Sequence, residues 1–85
     1  MPDPIRVDLY SRPGCHLCED AKEILEVFRR RYGFELSEIN VESDASLEKM
    51  YGLEIPVVII NGEKAFKYRI DAGELEKRIK QLWKT

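Results

Sequence analysis

The stretch "IRVDLYSRPGCHLC", residues 5–18, decides the fold. Ile5, Val7 and Leu9 alternate with polar partners, the period-two pattern of a strand with one buried face. Pro13-Gly14 interrupts it. From Cys15 to Tyr32 the apolar residues Leu17, Ala21, Ile24, Leu25, Phe28 and Tyr32 recur at helical spacing. Gly33 stands where a helix-ending glycine belongs. A strand therefore hands over to a helix at two cysteines, Cys15 and Cys18.

Working outward, "FELSEINV", residues 34–41, reads as a second strand with Phe34, Leu36 and Ile39 as core candidates. A short helix is expected next, capped by Ser43 or Asp44, with Leu47, Met50 and Tyr51 inward and Gly52 as terminator. "IPVVIING", residues 55–62, is the most apolar run and reads as a strand buried on both faces. Asn61-Gly62 favours a tight hairpin turn, returning the chain along Lys64 to Tyr68. Asp71 with Glu74 forms a capping-box pattern opening a last helix, with Leu75, Ile79, Leu82 and Trp83 inward. The order βαβαββα implies an α/β protein: a four-stranded mixed sheet with helices on both faces, in one domain over residues 1–85.

Composition narrows the function. The chain has 85 residues, 44% of them hydrophobic, enough for one modest core. Charged residues make up 35%, but the net charge is only −2, which lacks the footprint of a nucleic-acid binder. The basic run Arg29–Arg31 falls at a helix C-terminus, where the dipole favours cations. "MPDPIRVDLY" has no apolar core of signal-peptide length and no run approaches a membrane span, so a cytoplasmic protein without membrane contact is expected. In a reducing compartment, two cysteines so close together point to redox chemistry or metal binding rather than to a structural staple.

The position of Cys15 suits a nucleophile. A free thiol ionises near ~8.5, and the unpaired N–H groups of a helix's first turn stabilise thiolate over thiol. Residues three apart on a helix have α-carbons about 5 to 5.5 Å apart, within disulfide range. Cys15 is then the outer, attacking sulfur and Cys18 the more buried, resolving one. Arg12 and His16 flank the pair and could add positive charge, while His16 could equally face solvent. Asp8 could relay the Cys18 proton or be a solvated carboxylate. Tyr10, Phe28, Tyr32 and Trp83 read as core or rim.

"LYSRPGCHLC" after a strand, "IPVVIING" some forty residues on and the whole element order resemble a glutaredoxin-like member of the thioredoxin superfamily. The resemblance implies the thioredoxin-like fold and a thiol–disulfide oxidoreductase. It implies a cis bond at Pro56, with the backbone of Ile55 and Pro56 docking an extended peptide or glutathione. It leaves the chain without a tightly bound cofactor, glutathione being a candidate co-substrate. A disulfide-containing protein or glutathione would be the partner, a thiol reductase the electron donor, and the chain a monomer. Arg12, Lys49, Lys67 and Arg69 are candidates for holding a glutathione carboxylate.

The family's glutathione-gripping Gly-Gly is replaced by "FKYRIDAGE", with Phe66–Ile70 in its place, and the pair between the cysteines is His16-Leu17. A short, less characterised glutaredoxin-like group fits better than the familiar enzymes. Two other readings stay open. The chain could be a non-catalytic peptide-binding module, or a metal or iron–sulfur carrier. A closed zinc site needs four ligands, and the chain has one histidine and a single cysteine pair.

Overall fold

The computed structural model of the chain describes residues 4–83. Its elements run β1 (Arg6–Ser11), α1 (His16–Tyr32), β2 (Glu35–Asn40), a single 3₁₀ turn (Val41–Ser43), α2 (Ala45–Tyr51), β3 (Val57–Ile60), β4 (Glu63–Lys67) and α3 (Ala72–Leu82). The expected order holds. Strands lie in the order β2-β1-β3-β4, with β1 parallel to β2 and the other pairs antiparallel.

Period-two alternation gives β1 two faces with different partners. Val7 and Leu9 face α1 and α3, joining a core of Ala21, Leu25, Phe28, Val58, Leu75 and Ile79. Tyr10 is on the opposite face, where it pairs in register with the buried Val57 and packs its ring 4.6 Å from that of Tyr51 in α2. β3 needs apolar residues throughout because Val57 and Val58 are both fully buried, one beneath each layer.

Local chemistry fixes the ends. Gly33 adopts φ 72° and donates its N–H to the Arg29 carbonyl at 2.7 Å, closing α1. Asn61 and Gly62 take φ 50° and 84°, the left-handed pair of a type I′ turn. The Asn61 side chain accepts the Arg6 N–H at 2.8 Å, fastening the hairpin to the start of β1. Asp44 and Asp71 cap α2 and α3 by accepting the N–H groups of Ser46 and Glu74.

Several expectations need correction. Val41 leaves the second strand for the 3₁₀ turn, and Tyr68 leaves the fourth with φ 67°. Met50 is 60% exposed, and Leu17, Leu82 and Trp83 are exposed as well, Trp83 lying edge-on to Tyr32. α2 has only seven residues, and none of them is fully buried. Gly52 ends α2 with ordinary right-handed φ −54°, so no left-handed cap demands glycine there. Space does: an added Cβ would meet the Glu48 carbonyl oxygen and lie 3.0 Å from the Arg12 guanidinium.

Candidate active site

β1 delivers the chain to Ser11, and Arg12-Pro13-Gly14 turns it into α1, with Gly14 at φ 77°. Cys15 is the N-cap of that helix rather than its first turn, with extended backbone at φ −94° and ψ 108°. In this position its sulfur accepts the Cys18 N–H at 3.2 Å, the bond a capping side-chain oxygen usually makes. The Cys15 carbonyl takes the Glu19 N–H at 3.1 Å, closing the first turn. The two sulfurs are joined, with α-carbons 5.2 Å apart. Cys15 is half-buried, whereas Cys18 is only 3% exposed.

A hollow of about 380 Å³ opens beside the pair, lined by Ser11, Arg12, Cys15, Cys18, Glu19, Lys22 and Glu38 among others. Ser11 continues the inward alternation of Val7 and Leu9, and its buried hydroxyl donates to Glu38 at 3.2 Å. Lys22 reaches the other Glu38 oxygen at 3.0 Å, and that bond holds the Lys22 ammonium above its usual pKa. A second, smaller groove of about 220 Å³ runs along α1 past Leu17, Asp20 and Ile24 to Tyr68, Arg69 and Ile70.

The residues expected around the cysteines separate. Arg12 lines the hollow, but its guanidinium binds Glu48 and the Gly52 carbonyl (3.0 Å), with Glu42 3.8 Å away. It ties the loop after β1 to the end of α2. The His16 side chain is 96% exposed, 3.7 Å from Glu19, and does not line the hollow. Asp8 lies between Val7 and Leu9, so it faces away from α1 and Cys18, ruling out a direct relay. Lys67 is 3.6 Å from Glu54, and Arg69 shares the second groove with Asp20.

Pro56 is fully buried, Ile55 half-buried, and the bond between them is cis. Because Tyr10 pairs with Val57, Pro56 comes next to Ser11, at the sheet end that carries the cysteines. Neither Ile55 nor Pro56 lines the hollow, and the Pro56 carbonyl already accepts the Tyr68 N–H at 2.9 Å. Among the described residues no group of three or more metal-binding side chains gathers, and no helix is long and apolar enough to cross a membrane.

Sequence reading missed Ser11, Lys22 and Glu38. Ser11 was within reach, because it extends the alternation of β1. Glu38 was not. Its inward aim follows from its register with Leu9, which pairing across the sheet decides.

A βαβαββα sheet whose first helix opens on a cysteine pair is the thioredoxin fold, and solved structures agree. A thioredoxin variant from Halobacterium salinarum superposes with a TM-score of 0.73 at 16% identity, covering 98% of this chain and 78% of that one. The particular family is the glutaredoxin-like domain (DUF836), whose sequence profile matches residues 6–80, and the chain belongs to it. The Dictyostelium discoideum protein called glutaredoxin-like protein YDR286C homolog is 34% identical over 77 residues, 84% of this chain and 71% of that one. Protein Ne2328 from Nitrosomonas europaea, solved in solution, has a TM-score of 0.77 at 28% identity, covering 92% and 94% of the two chains.

Proposed function

We propose that the protein is a thiol–disulfide oxidoreductase in which Cys15 attacks and Cys18 resolves. One observation carries the reading: a half-exposed sulfur at a helix N-cap accepts the amide N–H of the residue whose own buried sulfur is within bonding reach. The helix N-terminus and that N–H both favour the thiolate, which is the nucleophile in exchange.

In the reduced protein, Cys15 thiolate attacks one sulfur of a substrate disulfide. A Cys15–substrate bond forms, the substrate bond breaks, and the first substrate thiolate leaves. Cys18 then loses its proton and attacks the Cys15 sulfur, expelling the second substrate thiolate. Two electrons have passed from the dithiol to the substrate, leaving the Cys15–Cys18 bond. Two external thiols, from two glutathione molecules or the dithiol of a reductase, restore the Cys15–Cys18 dithiol and leave joined as their own disulfide. Ile55, half-buried beside Pro56 at the cysteine end of the sheet, is the backbone along which an extended substrate docks. Arg12, held by Glu48 and Gly52, acts in positioning the loop instead.

Turnover of a small disulfide tests the roles. Cys15→Ser abolishes it, and Cys18→Ser accumulates a mixed disulfide visible as an added mass on the protein. Equal activity in both variants contradicts the assignment.

A further inference from the structure

The charges around the cysteine pair say which disulfides suit it, an inference that rests on the exchange reaction proposed above. Two cations line the hollow, Arg12 and Lys22, and the chain's own carboxylates occupy both. Arg12 is hydrogen-bonded to Glu48 and has Glu42 3.8 Å away. Lys22 lies 3.0 Å from Glu38, whose second oxygen takes the Ser11 hydroxyl. Glu19 also lines the hollow, and its partner among the described residues is the exposed His16 ring at 3.7 Å. Glu19 and Glu38 line the hollow itself, and Glu42 and Glu48, outside its lining, offset the charge of Arg12. On the other flank of α1, Arg69 shares its groove with Asp20, so no surplus of positive charge arises there.

We infer that the site prefers disulfides with cationic groups beside the reacting sulfur, such as protein disulfides flanked by Lys or Arg, over anionic ones. An incoming carboxylate must share Lys22 with Glu38 or Arg12 with Glu42 and Glu48, and it meets Glu19, which neither cation holds among the described residues. An incoming ammonium or guanidinium finds Glu19 available. The helix terminus does not reverse this, because its field falls off within the first turn and acts on the Cys15 sulfur. Glutathione disulfide, with more carboxylates than ammonium groups, is on the disfavoured side.

The experiment reacts the reduced protein with cystamine (cationic), bis(2-hydroxyethyl) disulfide (neutral) and glutathione disulfide (anionic). Each rate is divided by that of a small neutral thiol with the same reagent, which removes intrinsic reactivity. The cationic-to-anionic ratio is expected to reach about tenfold near ~10 mM salt and to shrink to about threefold near ~100 mM. Glu19→Gln lowers the ratio, and Glu38→Gln, by releasing Lys22, raises the normalised rate with glutathione disulfide. Glutathione disulfide matching or outpacing the neutral reagent at low salt overturns the charge preference while leaving the exchange reaction intact. Failure of all three reagents, the neutral one included, overturns the exchange reaction itself.

Discussion

The two sides of the sheet are held by different forces. α1 runs for 17 residues, buries Cys18, and places Ala21, Leu25 and Phe28 in one continuous core with α3. α2 runs for seven and buries none of its residues. It is held instead by the Arg12–Glu48 pair, the Arg12 bond to the Gly52 carbonyl and the Tyr10–Tyr51 ring contact. The helix bearing the cysteines thus rests on hydrophobic burial, which salt and pH hardly touch. The helix behind the sheet, which buries none of its own residues fully, leans more on charge through Arg12. The end of the sheet that carries the cysteines has the larger apolar support.

Substitutions can break this contrast. Leu25→Ala, deep in the α1 core, is expected to lower unfolding stability by about 2–5 kcal/mol in urea titration. A loss below ~1 kcal/mol would mean that α1 is not anchored by burial. Gly52→Ala forces a Cβ against the Glu48 carbonyl and the Arg12 guanidinium, costing about 1–3 kcal/mol. An unchanged stability would show that the α2 terminus has room to open.

Arg12→Ala removes the clamp itself. Because Glu48 is partly solvated, the expected loss is smaller, about 1 kcal/mol, and it diminishes as salt is added. The corresponding loss in Leu25→Ala is expected to be indifferent to salt. Equal salt responses would erase the distinction between the two sides.

A smaller effect lies in pH. Glu54, just beyond α2, has its carboxyl held below the usual value, chiefly by the Lys64 hydrogen bond and then by the charges of Lys64 and Lys67. A depressed carboxyl pKa contributes stability that is present above the unfolded-state value and lost as pH falls through the folded-state value. Lys64→Gln is therefore expected to lower stability slightly near neutrality, with the difference fading as pH falls through the carboxyl range, so that the acid limb flattens. An unaltered acid limb would show that the pair contributes nothing.

These two supports differ in how plainly the sequence announces them. Periodicity marks burial, so β1, α1, β3 and α3 could be read directly from residues such as Val7, Leu25, Val58 and Ile79. The Cys15–Cys18 pair was equally plain from spacing and from the strand-to-helix change. α2 was legible through Asp44 but not in its packing, since Met50 fits an apolar stripe and yet faces water. Arg12 offered no hint of its partners, which lie 36 and 40 residues away. His16 next to a cysteine pair invites a catalytic reading, yet the helix's rotation turns it outward. Long-range pairing and rotation about a helix axis are settled by the assembled sheet, and local pattern carries neither.

The proposed exchange reaction depends on the ionisation of one sulfur, and alkylation of the Cys18→Ser variant by iodoacetamide across pH measures it directly. With Cys15 capping α1, its alkylation is predicted to have a midpoint at least about one unit below the ~8.5 of an ordinary thiol, returning to ~8.5 when the same variant is unfolded in guanidinium. A midpoint at or above ~8.5 in the folded protein would contradict the account.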